Sequence, residues 1–154
     1  MKTSFKKASL YDIKAMQELV APEIESGVIL ARTDDEIATN IRSYHLAYID
    51  NELVGFCALH IHTASLAEIR SLIVKDGFRG AKIGESLVKH SLDEAQKLGV
   101  KRILSLTYKQ AFFERLGFEE IPKESIPEHK IWADCIKCKH FPVCNEVSLI
   151  KTLS

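Results

Sequence analysis

Several absences in the 154-residue sequence narrow the class of protein it encodes. No apolar run approaches the roughly 20 residues that a membrane-spanning helix needs. The start of the chain, Met1–Lys7, lacks the apolar stretch that follows the basic start of a signal peptide. Neither charge is in excess, because 21 Lys and Arg balance 21 Asp and Glu. We therefore expect a cytoplasmic protein with reduced cysteines and with no nucleic-acid or membrane partner.

Glycine and proline are also scarce, with seven and four residues, and 46% of the chain is hydrophobic. This composition is typical of a globular protein, and the length suits one domain with a sizeable core. No internal repeat, low-complexity tract or linker interrupts the chain. The sequence predicts one α/β domain over residues 1–154, with a cysteine-containing C-terminal extension at about 122–146.

The spacing of apolar residues changes between strand and helix periods along the chain. We predict strands over residues 3–8, 44–49, 53–62, 68–74, 102–107, 118–121 and 147–153. A first helix follows Ser9, its expected N-cap, and its pattern is interrupted at Pro22 and Gly27. Further helices are predicted over residues 34–43, 83–98 and 111–116. The expected buried stripe of the long helix consists of Ile83, Leu87, Leu92, Ala95 and Leu98.

A short basic turn with two glycines joins the strand 68–74 to the long helix. Its sequence is Arg79-Gly80-Ala81-Lys82-Ile83-Gly84. Amide groups at the start of a helix are unpaired donors at the positive end of the helix dipole, so they suit a pyrophosphate. The glycines permit close approach, and Arg79 and Lys82 add positive charge. A loop before a surface helix is the alternative, and the surrounding order of strand, turn, helix and strand favours the binding site.

Two stretches resemble motifs of the GNAT superfamily of N-acetyltransferases. Val74–Leu87 resembles its coenzyme A-binding motif, Arg/Gln-x-x-Gly-x-Gly/Ala, and Ala111–Phe118 resembles its later motif. The resemblance implies the acyl-CoA N-acyltransferase fold, a mixed central sheet flanked by helices, with acetyl-CoA as cosubstrate. Lys82 replaces the usual fourth-position glycine, which is acceptable if its φ is negative. The cofactor-binding residues that it implies are Leu72, Ile73, Val74, Arg79, Gly80, Ala81, Lys82, Ile83 and Gly84.

Within that superfamily, the chain resembles the acetyltransferase domain of N-acetylglutamate synthases, over residues 27–33, 67–74, 104–107 and 112–118. The resemblance implies acetylation of the α-amine of glutamate, the first step of arginine biosynthesis, with Arg32 binding the glutamate carboxylate and Glu68 accepting the proton. Backbone groups at Ile73 would stabilise the developing oxyanion. Strand alternation places Arg70 and Leu72 on the same face as Glu68, and Arg70 could bind a second carboxylate.

Without the resemblance, Glu68 and Arg70 would be interpreted as a surface salt bridge and Arg32 as an exposed loop cation. Phe113 stands where many members of the superfamily carry a tyrosine that acts as general acid, and Tyr108 lies nearby in sequence. A small-molecule substrate and a possible homodimer are expected. The alternatives are an acetyltransferase for another small amine or a protein N-terminus, and a non-catalytic acyl-CoA-binding module.

Three cysteines near the C-terminus form a compact group, Cys135, Cys138 and Cys144. Asp134, His129 and His140 could complete four ligands for a metal such as zinc. Packed free thiols or a disulfide are favoured over a metal when taken together, because no second pair has the usual spacing. Cys57 is expected in the core. His60 and His62 are expected to be ordinary strand residues.

Overall fold

The computed structural model of the chain describes residues 3–27, 31–79, 82–122, 125 and 147–153. Strands in these ranges are β1 Thr3–Lys7, β2 Tyr44–Ile49, β3 Glu52–Ile61, β4 Leu66–Val74, β5 Arg102–Thr107, β6 Glu119–Ile121 and β7 Val147–Thr152. Helices in these ranges are α1 Ile13–Glu25, α2 Asp34–Thr39, α3 Ile83–Leu98 and α4 Gln110–Arg115. Short 3₁₀ segments cover Leu10–Asp12 and Ile41–Ser43.

The seven strands form one mixed sheet, in the order β1-β2-β3-β4-β5-β7-β6. The prediction of an α/β fold with a central sheet and flanking helices is therefore confirmed. The chain divides into two compact units. The first unit comprises Met1–His60 and Ile69–Glu94, and the second comprises Ile61–Glu68 and Ala95–Ser154.

The first unit is built on the antiparallel strands β1, β2 and β3. The predicted hairpin between β2 and β3 is confirmed, and its turn residues Asp50 and Asn51 have φ values of 51° and 67°. Both residue types tolerate this left-handed conformation better than most others do. Two helices, α1 and α2, and three strands, β2, β3 and β4, contribute to a common buried cluster that consists of Met16, Val20, Ile37, Tyr44, Leu46, Leu53, Phe56, Ala58 and Ile73.

The second unit is built on the antiparallel strands β5, β7 and β6. The buried side chains of Leu66 and Leu104 pack against Leu106, Ile121 and Ile150. The predicted strand 102–107 agrees with β5 at both ends.

The predicted helix 83–98, most of which belongs to the first unit, agrees with α3 at both ends. Its sustained hydrophobic period therefore predicted this helix to the residue.

Three predicted details of the helices are wrong. Pro22 lies inside α1 and does not end it, because the burial of Met16 and Val20 outweighs the lost N–H donor and the crowding by the proline ring. The helix predicted over 34–43 stops at Thr39. The side-chain amide of Asn40 donates to the carbonyl of Glu36 at 2.9 Å, and so occupies the acceptor of the next helical turn.

The third wrong detail concerns the stripe of α3. Leu98 is 63% exposed, whereas Ile83, Leu87 and Ala95 are buried as predicted. Leu98 is the last residue of the helix, and Val100 is buried beyond the turn that follows. No helix within the described ranges combines the length and the apolar character needed to cross a membrane.

Candidate active site

Strand β4 carries several of the predicted site residues and is irregular at its centre. Ser71 has a φ of 56°, in the left-handed region that non-glycine residues rarely adopt. Side chains alternate between the two faces only where the strand is regular, so the alternation predicted from Glu68 to Leu72 does not extend past Ser71. Both ends of β4 are buried, and its three central residues, Arg70 to Leu72, are only half-buried.

The end of β4 lies unusually close to β3. A β-carbon on Gly55 would be 2.9 Å from the carbonyl oxygen of Ile73, a distance that real β-carbons essentially never show. The amide of Lys75 donates to the carbonyl of Val54 at 2.7 Å, which holds the two strands together just beyond this point. The backbone position of Ile73, the residue predicted to face the thioester, therefore depends on a glycine in β3.

The guanidinium of Arg79 donates hydrogen bonds to other groups of the protein. Its Nε donates to the carbonyl of Val74 at 2.9 Å, its Nη1 to Asp76 at 3.1 Å and its Nη2 to Glu23 of α1 at 2.9 Å. The residue therefore links the end of β4 to Asp76 and to α1.

Lys82 adopts a left-handed backbone conformation, which glycine tolerates better than other residues do. Its φ is 62°, so the condition of a negative φ is not met. Its side chain is exposed, and its carbonyl accepts from the amide of Ser86 at 3.0 Å in the first turn of α3. The buried Ile83 anchors the start of that helix. Gly80 and Ala81 of the predicted turn lie outside the described residues.

Hydrogen bonds fix the segment around Arg32 between α1 and α2. Gln17 donates from Nε2 to the backbone carbonyl of Arg32 at 2.8 Å and to Asp34 at 3.0 Å. Thr33 caps α2 reciprocally with Glu36, since each side chain accepts from the other's backbone amide. The residue predicted to bind the acceptor carboxylate is therefore held at the start of a capped helix.

Arg32 lies at a small cavity in the first unit. The cavity has a volume of about 20 Å³, enough for one water molecule. Its polar lining comes from Gln17, Arg32, Tyr44 and Ser71. Its apolar lining comes from Met16, Val20, Ile24, Ile37 and Phe56. Two unusual features thus meet in one place, a guanidinium-bearing segment and the left-handed residue of β4.

Tyr44 is a feature of this cavity that the sequence did not single out. It is buried, and burial raises the pKa of its hydroxyl above the ordinary value, while the positive charges of Arg32 and Arg70 act in the opposite direction. Both predicted carboxylate ligands therefore influence the same buried phenol. A tyrosine at the start of an apolar strand resembles an ordinary core residue, so the sequence carries no signal that Tyr44 lies at this cavity.

Glu68 is buried, so the interpretation of Glu68 as part of an exposed surface salt bridge is wrong. Its Oε1 lies 2.8 Å from Nε2 of His62, and the two side chains are only 6% and 7% exposed. His62 lies one residue beyond β3, in the connection to β4, and is not the ordinary strand residue that we predicted. The six-residue spacing across a short connection is the signal that could have revealed this pair.

Phe113 occupies the position of the tyrosine that many members of the superfamily carry. It is fully buried, and its ring packs edge-on against Phe112 and Phe118, with centroid separations of 5.1 Å in both cases. The residue is part of the core of the second unit and has no group that could donate a proton. Tyr108, the nearby alternative, is 42% exposed.

No three His, Cys, Asp or Glu side chains meet as candidate metal ligands in the part of the chain that the structure describes. Cys135, Cys138 and Cys144 lie outside that part, so the preference for free thiols or a disulfide over a metal site stays a prediction. Cys57 is in the core as predicted, and burial raises the pKa of its thiol to about 12. Its thiol therefore stays protonated at neutral pH.

Comparison with known families and sequences agrees with this fold. The model of the acetyltransferase (GNAT) family matches residues 9–118. An uncharacterized N-acetyltransferase of Chlorobaculum tepidum is 36% identical over 151 residues, which are 98% of this chain and 97% of that protein. An amino-acid acetyltransferase of Neisseria meningitidis is 28% identical over 127 residues, 81% of this chain but only 29% of that protein. The chain thus spans less than a third of the amino-acid acetyltransferases that it matches.

Solved structures give the same fold at lower sequence identity. N-acetylglutamate synthase from Neisseria gonorrhoeae, complexed with coenzyme A and N-acetyl-glutamate, superposes with a TM-score of 0.89 at 24% identity. That alignment covers the whole of this chain and 36% of the synthase. A Mycobacterium tuberculosis protein in complex with CoA and NLQ has a TM-score of 0.82 at 21% identity, over 98% of this chain and 99% of that one.

Proposed function

The chain belongs to the acetyltransferase (GNAT) family, and from this we propose that it transfers an acetyl group directly to the α-amine of L-glutamate. That it is an N-acetyltransferase which takes the acetyl group from acetyl-CoA follows from the family. The observation that carries the choice of acceptor is the cavity of the first unit, which Arg32 lines together with Tyr44 and with Ser71, the residue after Arg70 in β4. Two guanidinium groups suit a substrate with two carboxylates.

The chain also fits the anionic donor. The 16-residue helix α3 offers the amides of its first turn, and the exposed Lys82 adds positive charge beside them. We propose that these groups, with Gly80, Ala81, Ile83 and Gly84, bind the pyrophosphate. Arg79 is proposed to contribute to the same site, because its bonds to Val74, Asp76 and Glu23 use three of the five N–H donors of its guanidinium and hold the residue in place.

The reaction requires the amine to lose a proton before or during attack. The proposed acceptor of this proton is Glu68, directly or through a water molecule. The amine nitrogen attacks the thioester carbonyl carbon, so that a C–N bond forms, the C–S bond breaks and the sulfur leaves as coenzyme A thiolate. Backbone groups of Leu72, Ile73 and Val74 are proposed to hold the pantetheine arm, and those near Ile73 to stabilise the developing oxyanion.

The proposed acceptor also implies a metabolic role, the first step of arginine biosynthesis in the cytoplasm. Expression in a bacterial strain that lacks its own N-acetylglutamate synthase should restore growth without added arginine. The Glu68→Gln variant, expressed at the same level, should restore growth poorly or not at all. Equal growth of the two strains would exclude Glu68 as the required base.

A panel of amines tests the substrate directly. Release of coenzyme A thiol should be fastest with glutamate, slower with glutamine and aspartate, and absent with spermidine or a peptide N-terminus. Glutamine lacks the second carboxylate and aspartate carries it one methylene nearer, so the panel tests both the charge and its distance. Faster turnover of a polyamine or a peptide than of glutamate would favour the alternative acceptors.

A further inference from the structure

We propose that His62 is a positioning residue of the acetyl transfer, which holds the carboxylate of Glu68 through the hydrogen bond from Nε2 to Oε1. The inference rests on the proposed function, in which Glu68 accepts the proton of the amine. The two atoms are 2.8 Å apart, and both side chains are almost completely buried. A carboxylate removed from water is strongly destabilised unless a donor compensates it. The hydrogen bond from His62 supplies one such donor to Glu68.

Hydrogen bonds fix the backbone that carries the imidazole of His62. The amides of His62 and Thr63 both donate to the carbonyl of Leu66, at 2.9 and 3.1 Å. The hydroxyl of Thr63 accepts from the amides of Ser65 and Leu66, at 3.1 and 3.0 Å. This closed turn lies between the two members of the pair, so their separation is set by local structure and little side-chain freedom remains to be lost.

A histidine beside Glu68 suits its proposed role as a base better than an arginine or a lysine would. An arginine or lysine beside a carboxylate favours its charged form and opposes uptake of a proton. The Nε2–H group of an imidazole can donate one hydrogen bond that orients the carboxylate. The pair therefore supplies the fixed geometry that a general base requires.

Two conservative variants test the inference. The amide nitrogen of glutamine can take the place of Nε2, whereas the shorter asparagine reaches only as far as Nδ1. We expect His62→Gln to keep kcat within about threefold of the wild type and His62→Asn to lower it about 10- to 100-fold, with little change in KM for either substrate. His90→Gln, at an exposed position of α3, is the control and should leave kcat unchanged.

Combination with Glu68→Gln distinguishes positioning from general stability. If His62 acts through the carboxylate of Glu68, His62→Asn should not slow the Glu68→Gln enzyme any further. Full kcat in His62→Asn, equal loss in both His62 variants, or additive loss in the double variant would each overturn the inference. Thermal unfolding of each variant ensures that kcat is compared well below its midpoint.

The amine used in these assays is the one that the wild type acetylates fastest. Turnover of another amine without turnover of glutamate would contradict the proposed substrate and leave the test of His62 intact. Full activity of Glu68→Gln with that amine would overturn both the proposed base and the inference about His62. The two failures are therefore distinguishable by the wild-type panel and the single Glu68 variant.

Discussion

At the scale of single residues, Arg32 is the side chain on which the proposed acceptor depends most. Its backbone is held by Gln17, and the neighbouring Thr33 caps α2, so its position is defined before any substrate binds. A guanidinium that extends from an ordered backbone loses less freedom on binding a carboxylate than one carried by a disordered segment, and this favours a contribution to affinity. The cavity beside it is lined mainly by apolar side chains, so a charged group there is less screened than at the surface.

We expect Arg32→Gln to raise the KM for glutamate about 10- to 100-fold while the KM for acetyl-CoA stays within about twofold. The reason is the loss of a charge-assisted hydrogen bond to one carboxylate of the acceptor. Initial rates at varied glutamate and fixed, saturating acetyl-CoA measure the effect. The matched control is Arg42→Gln, at an exposed position of the 3₁₀ segment after α2. An unchanged KM for glutamate in Arg32→Gln would remove Arg32 from the acceptor site.

The sequence revealed the charges of the site residues but not the partners that they contact. The charges of Arg79 and Lys82 could be read from the motif, but the partners of Arg79 could not, because Glu23 is 56 residues away. The burial of Glu68 and its contact with His62 depend on how the connection between β3 and β4 closes. Residue types and spacing therefore predicted the candidate groups, whereas their partners required the fold.

At the scale of secondary-structure elements, the close approach of β3 and β4 makes Gly55 a sensitive position. We expect Gly55→Ala to destabilise the protein by about 1–3 kcal/mol, because the new β-carbon would force the carbonyl of Ile73 to move. The same movement should raise the KM for acetyl-CoA or lower kcat. Thermal unfolding and initial rates, measured well below the unfolding midpoint, separate the two effects.

Gly99→Ala is the matched control for Gly55→Ala. Gly99 has a φ of 92°, so alanine is strained there, but no atom would contact the added β-carbon within 4 Å. This variant should lose stability and keep full activity. If both glycine variants lose stability without any change in kcat or KM, the close contact at Ile73 has no part in the reaction.

The residue just before α3, Lys82, has an unfavourable backbone conformation. Lys82 adopts a φ of 62°, which is unfavourable for a residue with a β-carbon. We expect Lys82→Gly to stabilise the protein by about 0.5–1 kcal/mol, because the relieved strain exceeds the entropy that glycine loses on folding. Its KM for acetyl-CoA should rise, because an exposed positive charge beside the pyrophosphate is lost.

Lys97→Gly serves as the comparison for Lys82→Gly. Lys97 lies in the last turn of α3 with helical backbone, so glycine there should destabilise by about 1 kcal/mol and leave the KM for acetyl-CoA unchanged. Denaturant unfolding measures both changes. A loss of stability in Lys82→Gly as large as in Lys97→Gly would contradict the account of strain at the start of the helix.

Secondary structure was predictable where one hydrophobic period extends over many residues, as in α3 and β5. It was less predictable where a single side chain competes with the backbone. The side-chain amide of Asn40 ends α2 by donating to the carbonyl of Glu36. Pro22 stays inside α1 because the burial of one face of that helix outweighs the lost N–H donor. Such outcomes depend on tertiary packing and on local hydrogen bonds, which residue preferences do not contain.

At the scale of the whole molecule, three buried or paired groups predict that stability falls in acid. Burial lowers the pKa of His45, more than its hydrogen bond to Glu94 raises it. Burial raises the pKa of Glu94, but hydrogen bonds from Lys7 and His45 outweigh this and leave it below its ordinary value. Burial likewise opposes ionisation of Asp12, and hydrogen bonds from Tyr48 and Ser9 prevail, so its pKa is also lowered.

A group with a lowered folded-state pKa contributes stability above its unfolded pKa and loses it as the pH falls towards the folded value. For His45 the loss begins as the pH falls below the ordinary histidine pKa of 6.5. For Asp12 and Glu94 it begins below their ordinary pKa values of 3.8 and 4.5. We expect the unfolding temperature to fall between pH 7 and pH 5, and to fall further below pH 4.5.

Replacement of the histidine isolates the first of these two phases. In His45→Gln the fall in unfolding temperature between pH 7 and pH 5 should be smaller than in the wild type, while the fall below pH 4.5 should persist. His90→Gln removes an exposed histidine whose charge is the smallest of the causes that lower the pKa of His45, so this variant should retain both phases. The same slope between pH 7 and pH 5 in wild type and His45→Gln would show that His45 is not the group responsible.

The most direct measurement of the central claim is a competition between acceptors in one reaction. The enzyme is given acetyl-CoA with equal concentrations of glutamate, glutamine, aspartate and spermidine, and mass spectrometry follows the acetylated products at early times. The ratios of product give the ratios of kcat/KM. N-Acetylglutamate as the main product, and its selective loss in Arg32→Gln, is the predicted result. Another acetylated amine as the main product, or a glutamate preference that survives Arg32→Gln unchanged, would contradict the account.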